Sequence, residues 1–202
     1  MNQYARLTLP ELLEAFASNQ PVPGGGSAAA LTGAVGASLL IMVAGLPKTR
    51  HGTDEERSAL TAAAARLRPL RDELASLIER DSDAYTSVMN AYRLPRSSDV
   101  EQAARRHAID EAMRTATEAP MATIRACERA MREAEVIATS GAASAASDAA
   151  VGIELLKTAA RGAGLNVDTN LAAVKDDEYV KRVSQEQRDL EQAIEELLPS
   201  GS

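Results

Sequence analysis

One cysteine, Cys127, stands in this chain of 202 residues, and no tryptophan, one phenylalanine and four tyrosines. A lone cysteine excludes an internal disulfide and cannot build a zinc site, and it suits a reducing, cytoplasmic setting. The shortage of rings excludes an aromatic platform for nucleic-acid bases. The charge balance points the same way: 22 basic against 29 acidic residues leave a net charge of −7, with no basic block. Histidine is nearly absent too. His51 and His107 fall in a loop and a mostly polar helix start, so no Ser-His pair and no His/Cys/carboxylate set at metal-ligand spacing emerges. The N-terminus lacks the basic and apolar regions of a signal peptide. No fixed-period repeat and no dividing linker is found, so residues 1–202 read as one domain.

The chain does have a hydrophobic content of 45%, carried mainly by Ala, Leu, Val and Ile. Small residues let helix axes come close, and the class expected is all-α. The stretch on which the rest turns is Pro23-Gly24-Gly25-Gly26-Ser27, followed by an uncharged run to Leu46. Glycines open backbone angles closed to other residues and allow close approach to the main chain. Ser27 reads as the N-cap of a helix over residues 27–46, and free N–H groups at such a start can hold an anion or a carboxylate. The bland alternative is a tight loop feeding a core helix. There is no Gly-Lys-Ser/Thr ending and no strand before it, which argues against a P-loop or a dinucleotide fold. The run is long enough to span a membrane, but its Ala/Gly content and the amphipathic remainder favour a buried helix. Covering that helix favours at least a dimer.

Three capping boxes punctuate the chain: Thr8–Glu11, Thr53–Glu56 and Ser98–Glu101. They predict a short helix to Ala17, a long one to Tyr92 bent at Pro69, and another kinked or divided at Pro120. Lys48, Arg50 and His51 form a small basic loop, either a solvated connector or a clamp for an anionic tail. Asp81 interrupts the apolar seam Leu70, Leu74, Leu77/Ile78, Tyr85, Val88/Met89, Tyr92. A carboxylate on a core face is costly unless it is paired or working. Asp148 likewise leads into the seam Val151, Leu155, Ala159, at a helix expected to end at Gly162 and Gly164. Its bland reading is an acid at a helix N-terminus. Asn166 to Asn170 reads as a polar turn before a short helix at 171–174. A last helix runs over about 176–198, ahead of a frayed tail at Pro199–Ser202. Two acids on core-facing seams beside a glycine-rich loop suit acid–base chemistry without a metal or a covalent nucleophile.

In order, Pro23-Gly24-Gly25-Gly26-Ser27-Ala28-Ala29-Ala30, Asp81-Ser82-Asp83-Ala84-Tyr85, Ala91-Tyr92-Arg93-Leu94-Pro95-Arg96, Ser147-Asp148, Asn166-Val167 and Asn170-Leu171 resemble the cyclodeaminase/cyclohydrolase family. That family includes the C-terminal domain of formiminotransferase-cyclodeaminase and stand-alone methenyltetrahydrofolate cyclohydrolases. The resemblance covers roughly residues 5–190. It implies an all-α antiparallel bundle of long helices, an obligate homodimer acting on tetrahydrofolate that carries a one-carbon unit. No prosthetic group, metal, nucleic acid or membrane is implied. Catalytic roles fall on Asp81 and Asp148, with Tyr85 bonding the pterin or the acid. Gly24, Gly25, Gly26, Ser27 and Asn170 would contact folate, and Lys48, Arg50, Arg105 and Arg106 its glutamate tail. Where many relatives have Gly-Asn this chain has Gly141-Ala142, and its basic loop is less rich in lysine. The absence of a formiminotransferase domain favours the cyclohydrolase reaction. Cyclodeaminase activity is the alternative, and a non-catalytic folate binder or structural helical dimer is a third reading.

Overall fold

The computed structural model describes residues 4–197. Leu198 and the tail expected over Pro199–Ser202 lie outside the described residues. Six α-helices form α1 (Leu9–Ala17), α2 (Gly25–Ala44), α3 (Asp54–Tyr92), α4 (Asp99–Ser140), α5 (Ala146–Leu171) and α6 (Asp177–Leu197), with no strand among the described residues. The helix starts are written locally. Thr53 accepts from the Glu56 N–H at 3.1 Å, and Ser98 from the Glu101 N–H at 3.2 Å, while each glutamate reaches back to the cap residue.

Helix α2 is the centre of the molecule. It is long and apolar enough to cross a membrane, yet 61% of its most apolar window is buried against other helices. From Gly26 to Ala37 each of its buried residues is Gly, Ala or Ser. Such a thin face lets backbones meet. A Cβ on Gly36 would lie 2.7 Å from the Gly152 carbonyl oxygen of α5, and one on Gly33 would crowd Leu74, Ala159 and Cys127. The paired residues run in opposite directions: Ser27 meets Ile78 while Gly33 meets Leu74, and Gly25 meets Asn166 while Gly36 meets Gly152. Leu74, Ile124, Met131, Leu156 and Cys127 fill the core between α2, α3, α4 and α5. Cys127 is packing, as its period implied, and burial pushes its thiol up to about 12. Helix α6 lies along α4, tied by Arg125 to Glu186 at 2.6 Å and by Arg114 to Asp176 at 3.1 Å.

Three expectations are corrected. Gly24, not Ser27, is the N-cap of α2, and Ser27 sits inside the first turn. Helix α4 is not divided at Pro120 but runs through it, while α3 is one helix with Pro69 inside it. Helix α5 does not end at Gly162 and Gly164 but continues to Leu171, so Asn166 and Asn170 are helical. The glycines serve packing: a Cβ on Gly164 would overlap the Glu191 carboxylate of α6, and one on Gly162 would lie 3.4 Å from Ala29.

Gly36→Ala tests the close contact of α2 with α5. On an exposed helix the change stabilises by about 1 kcal/mol. Here the backbones must separate, and the expected result is a loss of about 1–3 kcal/mol in urea unfolding. A gain in stability would show that the two backbones do not meet at this point.

Candidate active site

The glycine run leaves the first N–H groups of α2 without a cap of their own, because Gly24 has no side chain to offer. The cap arrives from α3. Asp81 Oδ2 lies 2.8 Å from the Ser27 hydroxyl, and the nearby Ser27 backbone N–H also favours its anion. Position 26 has to be glycine, since a Cβ there would fall within the Asp81 carboxylate, 2.7 Å from its Cγ. Oδ2 is thus turned to Ser27, while Oδ1 lies against Gly26 on the wall of a cavity of about 320 Å³.

Each wall of that cavity comes from a different element. Pro21 and Val22 precede the glycines, and the Val22–Pro23 peptide bond is cis. Asp81, Tyr85 and Val88 stand one above another on α3, while Met113 and Ala116 of α4 add apolar surface. Asn166, Thr169 and Asn170 complete it from the last turns of α5. The two asparagine amides have a fixed sense. Asn166 Nδ2 donates to the Gly162 carbonyl at 2.9 Å and Asn170 Nδ2 to the Ala116 carbonyl at 3.0 Å. A carbonyl only accepts, so each Nδ2 is identified as the donor, with one N–H committed, and each Oδ1 and the second N–H remain for another partner.

Among the described residues, Asp81 and Tyr85 are the only ionisable side chains on the cavity wall. Burial raises the Asp81 pKa above the ordinary carboxylate value, and the hydroxyl and N–H of Ser27 pull it down only in part. A carboxyl poised in this way, beside an apolar surface and amide acceptors, is equipped to take and return a proton. Among the described residues no group of three or more His, Cys, Asp or Glu gathers where it could hold a metal ion.

The expected site residues divide between the two ends of the molecule. Gly24, Gly25, Gly26, Asp81, Tyr85 and Asn170 line the cavity together. Ser27 lies behind it, wholly buried, so it supports Asp81 and does not face the cavity. Asp148 is half-buried in the first turn of α5. Eighteen residues separate it from Asn166, about 27 Å along the helix, so one protomer does not bring Asp148 to Asp81. Lys48 and Arg50 follow the far end of α2, where Arg50 donates to the Ala138 carbonyl. Arg105 and Arg106 are at the cavity's end of α4, about 10 Å along the axis from Met113. Arg105 donates twice to the Tyr92 carbonyl and stacks on the Tyr92 ring, while Arg106 is exposed. Asn166, Thr169 and Met113 were not singled out as site residues. The signal available was the spacing of 166, 169 and 170, one face of a helix once α5 is read as continuous.

A family model described as Formiminotransferase-cyclodeaminase matches residues 8–189. The methenyltetrahydrofolate cyclohydrolase of Methylorubrum extorquens is 38% identical over 169 residues, which cover 84% of this chain and 81% of that one. The formimidoyltransferase-cyclodeaminase of Gallus gallus is 30% identical over 88% of this chain, which spans 33% of the length of that relative. The crystal structure of formiminotetrahydrofolate cyclodeaminase from Thermotoga maritima superposes with a TM-score of 0.85 at 27% identity, covering 96% of this chain and 92% of that one.

Asp81→Asn separates a working acid from a structural one by its effect on stability. With the folded pKa raised, the folded state holds this proton more tightly than the unfolded state. Stability therefore falls as pH rises from the ordinary value, about 3.9, through the raised one. Removing the charge should raise Tm at pH 8 by about 2–4 °C, with little change at pH 4. A Tm that falls at both pH values would make Asp81 a structural cap.

Proposed function

The chain belongs to the formiminotransferase-cyclodeaminase family, and on that premise we propose that it is a methenyltetrahydrofolate cyclohydrolase, converting 5,10-methenyltetrahydrofolate and water to 10-formyltetrahydrofolate. The observation that carries the reading is the Asp81 carboxyl on the wall of a cavity closed by the glycine start of α2. The choice of reaction is supported by the cyclohydrolase relative, matched over most of both chains.

The chemistry asks for one group that handles a proton twice. The methenyl carbon, bonded to N5 and N10, is electrophilic. As water adds to it, the Asp81 carboxylate takes a proton and the carbon becomes tetrahedral. The C–N5 bond then breaks, Asp81 returns the proton to N5, and the hydroxyl on carbon loses its own proton to become the formyl C=O, with formyl left on N10. Tyr85 is placed one turn from Asp81 to bond the acid or the pterin. The Oδ1 atoms of Asn166 and Asn170 suit the N–H groups of a pterin. Arg105 and Arg106, toward the cavity's end of α4, are the candidates for the glutamate tail.

A second reading has its own support in the cyclodeaminase structure and relatives. In it N10 attacks the formimino carbon on N5 and ammonia leaves. It uses the same carbon and the same acid, so Asp81 keeps its role.

The assembly we propose is an antiparallel bundle in an obligate homodimer, located in the cytoplasm. Its support is an uncharged stripe on α2, with Val35 46% and Met42 41% exposed, beside Val151 and Leu165 of α5 at 51% and 70%. Two copies meeting along these stripes in opposite directions would carry Asp148 of the partner subunit toward the Asp81 cavity. This accounts for two catalytic acids that one protomer holds apart.

The test follows the loss of methenyltetrahydrofolate absorbance, corrected for spontaneous hydrolysis. Wild type should accelerate it, and Asp81→Asn and Asp148→Asn should each lose at least about a hundredfold in kcat. Co-expressing the two variants should restore about a quarter of the wild-type rate, because half of the dimers are mixed and each mixed dimer holds one intact site. No acceleration by wild type, with formiminotetrahydrofolate converted in its place, would select the cyclodeaminase reading. No conversion of either would remove both.

A further inference from the structure

We propose that Ser27 is a positioning residue whose hydroxyl, by turning between two acceptors, lets Asp81 gain and lose a proton with no movement of heavy atoms. The inference deepens the reading above and rests on it in taking Asp81 as the group that exchanges protons with substrate.

The geometry is a matter of counting protons. Ser27 Oγ lies 2.8 Å from Asp81 Oδ2, 2.9 Å from the Ile78 carbonyl oxygen and 3.2 Å from Ser82 Oγ. It has one proton to give. Ile78 O can only accept. When Asp81 is ionised, the Ser27 hydroxyl donates to Oδ2, and Ser82 can donate to Ser27 Oγ or, at 3.4 Å, to Ile78 O. When Asp81 holds its proton on Oδ2, the carboxyl donates to Ser27 Oγ and the Ser27 hydroxyl turns to Ile78 O. Every buried polar atom is satisfied in both states, and only hydrogens move. A buried amide or lysine could not do this, because neither can exchange donor for acceptor at one atom.

The setting makes that exchange valuable. Ser27 is fully buried and Ser82 is 5% exposed, so the hydroxyls rather than bulk water face Oδ2. An unsatisfied polar atom there would cost more than the bond itself. No other charge competes. Helix α2 carries none, α4 presents Met113 and Ala116, α5 presents Asn166, Thr169 and Asn170, and the one other titratable group on the cavity wall is Tyr85. With Oδ2 managed from behind, Oδ1 against Gly26 is left for the substrate.

Two measurements that need no folate test this. In wild type the Ser27 hydroxyl proton, observed by NMR, should move downfield as Asp81 ionises, because a bond to a carboxylate is shorter and stronger than one to an amide carbonyl. A position constant through the Asp81 titration would overturn the proposal. In Ser27→Ala, the Asp81 side-chain carbon should titrate at higher pH than in wild type, since a donor to the carboxylate is lost. Ser82→Ala, which removes a buried hydroxyl farther from the acid, should move it less. Equal movement in the two variants, or none in Ser27→Ala, would overturn it. In turnover, the Ser27→Ala kcat–pH limb should shift to higher pH, with kcat about tenfold lower and KM within about twofold. A KM effect alone would contradict the proposal. If wild type converts no folate, the functional reading fails, while the two NMR titrations still decide the role of Ser27.

Discussion

From Gly26 to Ala37, helix α2 can lie this close to α3 and α5 only because its buried positions are Gly, Ala or Ser. At Gly36 the backbones of α2 and α5 meet, and at Gly26 the α2 backbone meets the Asp81 carboxylate. The two contacts face different neighbours, α3 and α5, from one helix. The packing that buries α2 therefore also presses its uncapped N-terminus onto an acid of α3. A larger residue at either end would open the bundle or displace the carboxyl.

This arrangement sets opposing forces on Asp81. The start of α2 offers an N–H, a hydroxyl and the positive end of the helix dipole, all of which favour the anion. Burial favours the neutral acid and prevails. A purely structural cap would be held as a stable anion. A carboxyl whose pKa is raised by burial, in a cavity of about 320 Å³ lined by asparagine amides and apolar side chains, suits proton transfer at a carbon flanked by nitrogens. Both cyclohydrolase and cyclodeaminase chemistry require that transfer, and relatives of both kinds match this chain.

Much of this was legible in the sequence where the signals are local. Capping boxes at Thr53 and Ser98 wrote the starts of the long helices, and the seam from Leu70 to Ile78 led to Asp81 on a buried face, although Tyr85 and Tyr92 beyond it are exposed. Less legible was whatever a second helix decides. Gly162 and Gly164 look like a helix stop, yet each is a close contact, with Ala29 and with Glu191, and the helix runs on to carry Asn166 and Asn170 to the cavity. Ser27 looks like a cap from its neighbours alone, but its hydroxyl is taken by α3. Pro120 stays inside helix α4, where it is itself buried among the packed residues. Asp148 is the instructive case: the seam it leads into is not core in this protomer, since Val151 is 51% exposed and Leu155 only half-buried, and periodicity along a helix says nothing about distance between two helices.

The most direct test of the account is a crystal structure with a stable folate bound, such as 5-formyltetrahydrofolate, as an analogue of the one-carbon-bearing substrate. The account predicts the pterin between the Gly24–Gly26 backbone and the Asn166/Asn170 face, with the atoms at N5 within hydrogen-bonding distance of Asp81. A folate bound away from this cavity, or one whose one-carbon unit faces away from Asp81, would contradict it.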